Sequence, residues 1–336
     1  MKLLVYSTKS FEIEPLKAAN TGNHKITFVT ESLDSTTAVL AAGYEAISIF
    51  SGDDASLVVL ETLKDLGVRY ITLRSAGYNN VSIKSALRLG LKVANAPDYS
   101  PHAIAEHAMG LILAWNRKLM QANKQVHQHN FLLDDLVGTN VHGKTIGVVG
   151  TGRIGSILIK IVHGFGCKLL ATDIEQNHYL ESEYDLKYVD LETLCKESDI
   201  VSINVPLNYE THHMFNKKVF SLMKKNALLV NTARGGVVKT VDLIAALVDG
   251  SIAGYATDVF ENEKGIFFKD HNKKDINNEQ LKALLAMPNV ILTPHQAFVT
   301  KEAIKNIAET TLHNIDCWVE DRVNVNELGY YNVTSE

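Results

Sequence analysis

The sequence predicts an α/β protein made of two doubly wound parallel sheets, and three observations carry that prediction. Short apolar runs recur at 3–6, 46–50, 70–73, 146–149, 169–172, 200–205, 228–231 and 290–292. They are apolar on both faces and often β-branched, as parallel strands covered by helices on both sides must be. Helical patterns fall between them, for example at 56–66, 154–164 and 241–249, which is the alternation of a doubly wound sheet. The chain has 336 residues, room for roughly two domains at about 150 residues each.

The first unit starts at residue 1 and is assigned to 1–99. A long helical segment, 103–128, follows. Its apolar positions Ile104, Ala108, Leu111, Ile112, Trp115 and Leu119 recur at helical spacing, which suits core or subunit contact. The second unit is assigned to 100–297. The helical tail from 301 to about 320 is too short to be a domain, so residues 298–336 are expected to cross back and complete the first unit. The polar run 269–280 reads as an exposed loop with room for a short helix.

Composition excludes several classes. Apolar residues make up 46% and charged residues 21%, unlike a disordered chain. Thirty-three Lys+Arg against 38 Asp+Glu give a net charge of −5, without the overall basic field of a nucleic-acid binder. Cys167, Cys195 and Cys317 are odd in number and lack CxxC spacing, which argues against a disulfide framework or a structural zinc and for a reducing, cytoplasmic setting. No metal site is expected. No apolar run approaches 18 residues, so no membrane helix is expected, and the N-terminal apolar run is too short for a signal peptide.

The first chemical motif is Gly150-Thr151-Gly152-Arg153-Ile154-Gly155, a GxGxxG between an apolar strand and a helical pattern. Gly150 permits the tight turn, Gly152 the approach of a pyrophosphate, and Gly155 close helix–strand packing. The next apolar run ends at Asp173, placed to accept hydrogen bonds from ribose hydroxyls and to repel a 2′-phosphate. That favours NAD over NADP.

Three further segments stand at the ends of candidate strands: Asn231-Thr232-Ala233-Arg234-Gly235, Asp258-Val259-Phe260-Glu261-Asn262-Glu263, and Pro294-His295-Gln296-Ala297. With Ser75-Ala76-Gly77-Tyr78 and the run from Tyr99 to His107, they resemble, in order, the signatures of the D-specific 2-hydroxyacid dehydrogenase family. The likeness spans nearly the whole chain. It is strongest toward the fermentative D-lactate branch, through the opening Lys2–Lys9 run, Phe267-Phe268 and His295-Gln296-Ala297-Phe298. Lys264 stands where many relatives carry proline.

The resemblance implies a fold of two Rossmann- or flavodoxin-like domains with an active-site cleft between them. It also implies NAD as cofactor, a 2-oxo acid as substrate, and a homodimer or homotetramer. His295 is then the proton donor in reduction. Glu263 hydrogen-bonds and orients the imidazole, with Glu261 as its rival two residues earlier. Arg234 grips the substrate carboxylate, for which its fork is suited. Ala76 and Gly77 are implied as a second carboxylate cradle, Val205, Pro206 and Thr211 as the adenosine side, Thr232 and Ala233 as the nicotinamide side, and Asp258 as a carboxamide partner. Tyr99, Phe298 and Phe50 are wall residues that suit a methyl group. The activity expected is pyruvate/D-lactate interconversion. Larger 2-oxo acids, or an NAD-sensing role like that of the dehydrogenase-related corepressors, are the alternatives. His107, His212 and His213 have no evident partner and read as surface or packing residues.

Overall fold

The computed structural model describes residues 1–273 and 276–330. The chain divides into two compact units, Met1–Ser100 with the chain from Phe298 onward, and Pro101–Ala297.

In the first unit, β1 (Lys2–Val5), α1 (Ser10–Ala19), β2 (Lys25–Phe28), β3 (Ala46–Ile49), α2 (Leu57–Asp65), β4 (Tyr70–Leu73), α3 (Ile83–Arg88) and β5 (Lys92–Ala94) follow in order. All strands pair parallel, in the order β2-β1-β3-β4-β5. The pleat sends alternate side chains to opposite faces. Leu4, Ile47, Ile49, Ile71 and Leu73 therefore pack on one side with Val59, Leu60 and Leu63 of α2. Leu3, Val5 and Ala46 pack on the other.

The second unit opens with α4 (Pro101–Asn116) and α5 (Leu119–His127). The expected single helical segment over 103–128 is thus two helices. Lys118 between them adopts a left-handed conformation (φ 53). The physical reason lies in the stripe itself. Ala108, Leu111 and Ile112 are buried against the sheet, but Leu119 is 52% exposed and α5 buries nothing. The apolar face that holds α4 in place ends where α4 ends.

Next come β6 (Thr145–Val149), α6 (Arg153–Gly164), β7 (Lys168–Thr172), α7 (His178–Tyr184), β8 (Lys187–Tyr188), α8 (Leu191–Glu197), β9 (Ile200–Ile203), α9 (Lys217–Phe220), β10 (Leu228–Asn231), α10 (Thr240–Val248), β11 (Gly254–Thr257), α11 (Glu279–Ala286) and β12 (Val290–Leu292). The sheet is parallel in the order β12-β11-β10-β9-β6-β7-β8. Counted within the unit that is 7-6-5-4-1-2-3, so the strand order reverses between β6 and β9, where such sheets bind ligands. The carboxyl ends are level, since Asn231 pairs with Ile203 and Thr257, and Thr257 with Leu292. Of the expected loop over 269–280, residues 274 and 275 lie outside the described residues. Helix α11 starts at Glu279, capped by the Asn278 side chain.

The last helix, α12 (Lys301–Val319), is capped by Thr300 and returns to the first unit. It packs on α1 and β4, burying Leu312, Ile315 and Trp318 with Leu3, Val5 and Leu16. No helix among the described residues is long and apolar enough to cross a membrane.

Candidate active site

The glycine loop forms as its residue types require. Gly150 has φ 92, and a Cβ there would come within 2.7 Å of the Asn204 carbonyl oxygen. A Cβ on Gly155 would collide with the Gly150 carbonyl. Gly152 is the N-cap of α6, has no side-chain cap, and faces open space within 4 Å. The first turn of α6, Arg153 and Ile154 included, therefore leaves backbone N–H groups and the positive end of its dipole uncovered for an anion. Asp173, just past β7, reaches back to this loop. Its Oδ2 accepts from the Thr151 amide (2.5 Å) and the Thr151 hydroxyl (3.0 Å), and its Oδ1 accepts from the Glu175 amide. Burial opposes the charge, but these bonds outweigh it and hold the carboxyl below its usual range. An ionised carboxylate has about four acceptor positions, so room remains for a hydroxyl donor.

Thr211 is buried and staples the loop after β9. Its hydroxyl donates to the Pro206 carbonyl at 2.6 Å and accepts from the Asn208 amide. Val205 is half-buried and Pro206 exposed beside it. Thr232 offers a different kind of observation: its hydroxyl is buried and has no hydrogen-bond partner among the described residues. The Asn204 Oδ1 atom is likewise without a partner. Orphaned polar atoms cost about 1–3 kcal/mol each unless a ligand or water completes them. Both lie in loops at the carboxyl edge of the sheet, Asn204 beside the glycine turn and Thr232 after the next strand over. The residues present fit a dinucleotide.

The catalytic candidates leave adjacent strands on the same edge. After β10, the buried Asn231 shapes the turn: its amide accepts from Ala233 N–H and donates to the Arg234 carbonyl, both at 3.0 Å. Arg234 is half-buried, with Nη1 donating to the Ala233 carbonyl at 2.8 Å. Gly235 is obligatory, because a Cβ would strike the Phe260–Glu261 backbone. After β11, the chain runs through Asp258 to Glu263. After β12, it reaches His295.

His295 Nδ1 lies 2.8 Å from Glu263 Oε1. The other Glu263 oxygen accepts from Phe260 N–H. With Nδ1 engaged by a carboxylate, Nε2 is the nitrogen left to exchange a proton with a substrate. His295 has φ 57, a left-handed conformation unusual for a non-glycine residue and costing on the order of 1–3 kcal/mol. Asp258 holds the loop there. Its carboxylate accepts from the Thr293 hydroxyl (2.5 Å) and from the Gln296 and Ala297 amides (2.8 Å each). His107 on α4 stands 3.4 Å from Asp258 Oδ1 and 3.0 Å from the Thr293 hydroxyl. Burial works against the Asp258 charge, yet these four donors hold its carboxyl below the usual range. Asp258 was expected at a carboxamide, and the bonds it makes here brace the loop of His295.

That lowered value has a sign. A depressed folded-state pKa contributes stability above the ordinary carboxylate value of about 4, and the contribution is lost as pH falls through the folded-state value. Asp258→Asn should therefore lower the thermal midpoint at pH 7, and its gap to wild type should shrink steadily below about pH 4, as followed by calorimetric melting across pH.

Glu261 has a separate partner. Its Oε1 is 2.5 Å from His213 Nε2, and its Oε2 accepts from the Thr240 amide. His213 stacks on His212 at 3.8 Å. His107 and His213 are thus partnered, which their sequence neighbourhoods do not reveal, since Asp258 and Glu261 lie far along the chain. Glu263→Gln should lower kcat at least tenfold more than Glu261→Gln, because only the former removes the charge beside His295. Steady-state kinetics on the two variants checks this.

Within the first unit, Ala76 and Gly77 follow β4 and are half-buried. The Ser75 hydroxyl donates to the Gly77 carbonyl, and the Asn95 amide to that of Ala76. Both carbonyls are thereby tied down. Phe50, Phe298 and Tyr99 come together in that unit, with centroids 5.9 Å apart for Phe50–Phe298 and 6.3 Å for Tyr99–Phe298.

Comparison with known proteins agrees with this geometry. The family model for the NAD binding domain of D-isomer specific 2-hydroxyacid dehydrogenases matches residues 109–297. The D-lactate dehydrogenase of Escherichia coli is 42% identical over 329 residues, 98% of this chain and 100% of that protein. A solved structure of the pyruvate reductase of Chlamydomonas reinhardtii superposes with a TM-score of 0.92 at 39% identity, covering 97% of this chain and 98% of that one. The NAD-complexed D-isomer specific 2-hydroxyacid dehydrogenase of Lactobacillus delbrueckii ssp. bulgaricus gives 0.79 at 32% identity, covering 98% and 100%. The chain belongs to the D-isomer specific 2-hydroxyacid dehydrogenase family, and its second unit carries that family's NAD binding domain.

Proposed function

We propose that the chain is an NAD-dependent D-lactate dehydrogenase, reducing pyruvate to (R)-lactate and running in reverse when lactate is in excess. The observation that carries this reading is the Glu263–His295 pair, which leaves Nε2 available on the strand edge that also presents Arg234. NADH, when bound, supplies the hydride to the carbonyl carbon. Gly150, Gly152 and Gly155 with the start of α6 hold its pyrophosphate, Asp173 its ribose, Val205, Pro206 and Thr211 its adenosine side, and Thr232, Ala233 and Asp258 its nicotinamide side. Arg234 binds the substrate carboxylate through two parallel N–H donors and fixes the direction in which the carbonyl points. Within the first unit, the Ala76 and Gly77 amides are the donors suited to a carboxylate.

His295 gives the proton from Nε2 to the carbonyl oxygen. Glu263 keeps the imidazole turned and stabilises its charge before the transfer. Reduction takes the proton from Nε2 of His295, and lactate oxidation returns it there. Phe50, Phe298 and Tyr99 form an apolar wall suited to the methyl group of pyruvate. The likeness to D-lactate dehydrogenases and to a pyruvate reductase supports the same substrate.

The apolar side chains of α5 and the loop after it support a homo-oligomer of the cofactor-binding unit. Leu119, Met120, Val126, Phe131, Leu132 and Leu133 are each 50–74% exposed and close in sequence, and such a concentration suits an interface. The enzyme acts in the cytoplasm, where three unpaired cysteines stay reduced.

The test is a panel of pyruvate, 2-oxobutyrate and phenylpyruvate with NADH and with NADPH. The reading predicts the highest kcat/KM with pyruvate and NADH. Preference for phenylpyruvate would assign a larger substrate. NADH binding without turnover on any 2-oxo acid would assign a sensing role.

A further inference from the structure

The second unit has a cavity at the end of its sheet opposite the glycine loop. It encloses about 210 Å³, and its lining comes from the amino ends of four neighbouring strands. Lys144 precedes β6, Asp199 precedes β9, Asn226 precedes β10 and Ala253 precedes β11. The glycine loop follows the carboxyl end of β6, about 16 Å away along a five-residue strand. This is therefore not the dinucleotide site.

Its chemistry is mixed in a defined way. One wall is the indole of Trp115, continued by Ile200, Leu228 and Val141. Two ammonium groups, Lys118 and Lys144, belong to the lining, and neither forms an ion pair among the described residues. Lys118 Nζ lies 5.8 Å from the Trp115 ring centroid. The single carboxylate of the lining, Asp199, is already neutralised: it takes a 2.9 Å bond from Lys224 and one from the Thr145 amide. Lys144 also lies in the field of Asp199, so the lining, with two ammonium groups and one carboxylate, keeps a net positive charge beside a flat aromatic surface.

We propose that this cavity is a second binding site, for a small planar organic anion of the aromatic carboxylate class. The ring of the ligand lies against Trp115 and its carboxylate meets Lys144 and Lys118. Trp115 is on α4, with its indole N–H donating to the Asn289 carbonyl ahead of β12. His107, two turns earlier on the same helix, contacts Thr293 and Asp258 beside His295. At 1.5 Å per residue the two positions are about 12 Å apart along one continuous helix, which makes α4 the element that would register occupancy.

The experiment titrates benzoate into the whole enzyme in the presence of saturating NAD⁺ and oxamate, a pyruvate isostere that fills the carboxylate site at Arg234. Binding is read by calorimetry and by tryptophan fluorescence. The proposal predicts one saturable site per chain. It predicts a fluorescence change lost in Trp115→Phe, and a Kd raised at least fivefold in Lys144→Met while kcat with pyruvate stays within twofold. Benzamide, the neutral isostere, should bind at least fivefold more weakly than benzoate. Absence of saturable binding at about 10 mM benzoate, where even a site with a Kd of about 1 mM would be mostly filled, overturns the proposal. So does an unchanged Kd in Lys144→Met, or equal affinity for benzamide.

Discussion

Replacing His295 with glutamine should lower kcat for pyruvate reduction by about 10³-fold or more and leave the Kd for NADH within about threefold. General acid catalysis by a placed side chain contributes on the order of 10²–10⁴-fold, and here the acid is also a charge near the developing alkoxide. The contacts proposed for the cofactor lie on the glycine loop, Asp173, the loops after β9 and β10 and Asp258, and none of them is made by the imidazole. Glutamine keeps a donor of similar size near Glu263, so the 293–297 loop, held by Asp258 rather than by His295, should remain in place. Stopped-flow kinetics with a fluorescence titration of NADH separates the two quantities. A fall in kcat accompanied by an equal loss of NADH affinity would point to a collapsed loop instead.

The second large effect is at Arg234. Arg234→Lys should raise KM for pyruvate by about 10²-fold, and Arg234→Gln should lower kcat/KM by about 10³-fold. Loss of one partner of a buried charge pair costs about 2–5 kcal/mol, and a factor of ten is about 1.4 kcal/mol. Lysine restores the charge but not the planar fork, so the carbonyl is held less well for attack. Asn231 makes this site an instructive one. Its side chain ties the turn at both ends through Ala233 and Arg234, so Arg234 is presented by a preformed loop, and the two variants report on the guanidinium rather than on the backbone.

Much of this was readable in the sequence because strong local signals coincide with the chemistry. Strands β6, β9 and β10 are apolar on both faces, and the residues that follow them at the carboxyl edge stand out. Four strands have weaker signals. β2 and β8 are edge strands with partly exposed side chains, β5 has three residues, and β11 is Gly-Tyr-Ala-Thr, without the β-branched run that marks its neighbours. The break at Lys118 carries neither glycine nor proline; it follows from the loss of a face to bury, a tertiary cause. Long-range pairing is the other illegible part. Two acidic residues separated by one position, Glu261 and Glu263, are alike as sequence, and only the fold directs one to His213 and the other to His295. The bracing role of Asp258 is of the same kind, since its donors come from two stretches of chain, the 293–297 loop and His107 far upstream.

The most direct test of the account is the chirality of the product. Pyruvate and NADH are incubated with the enzyme to completion, and the lactate is resolved on a chiral column. If the imidazole, the guanidinium and the cofactor loop act on one carbonyl with the stereospecificity of the D-isomer specific family, the product is (R)-lactate alone, formed in equal amount to the NADH consumed. Formation of (S)-lactate, a racemate, or NADH loss without lactate would contradict it.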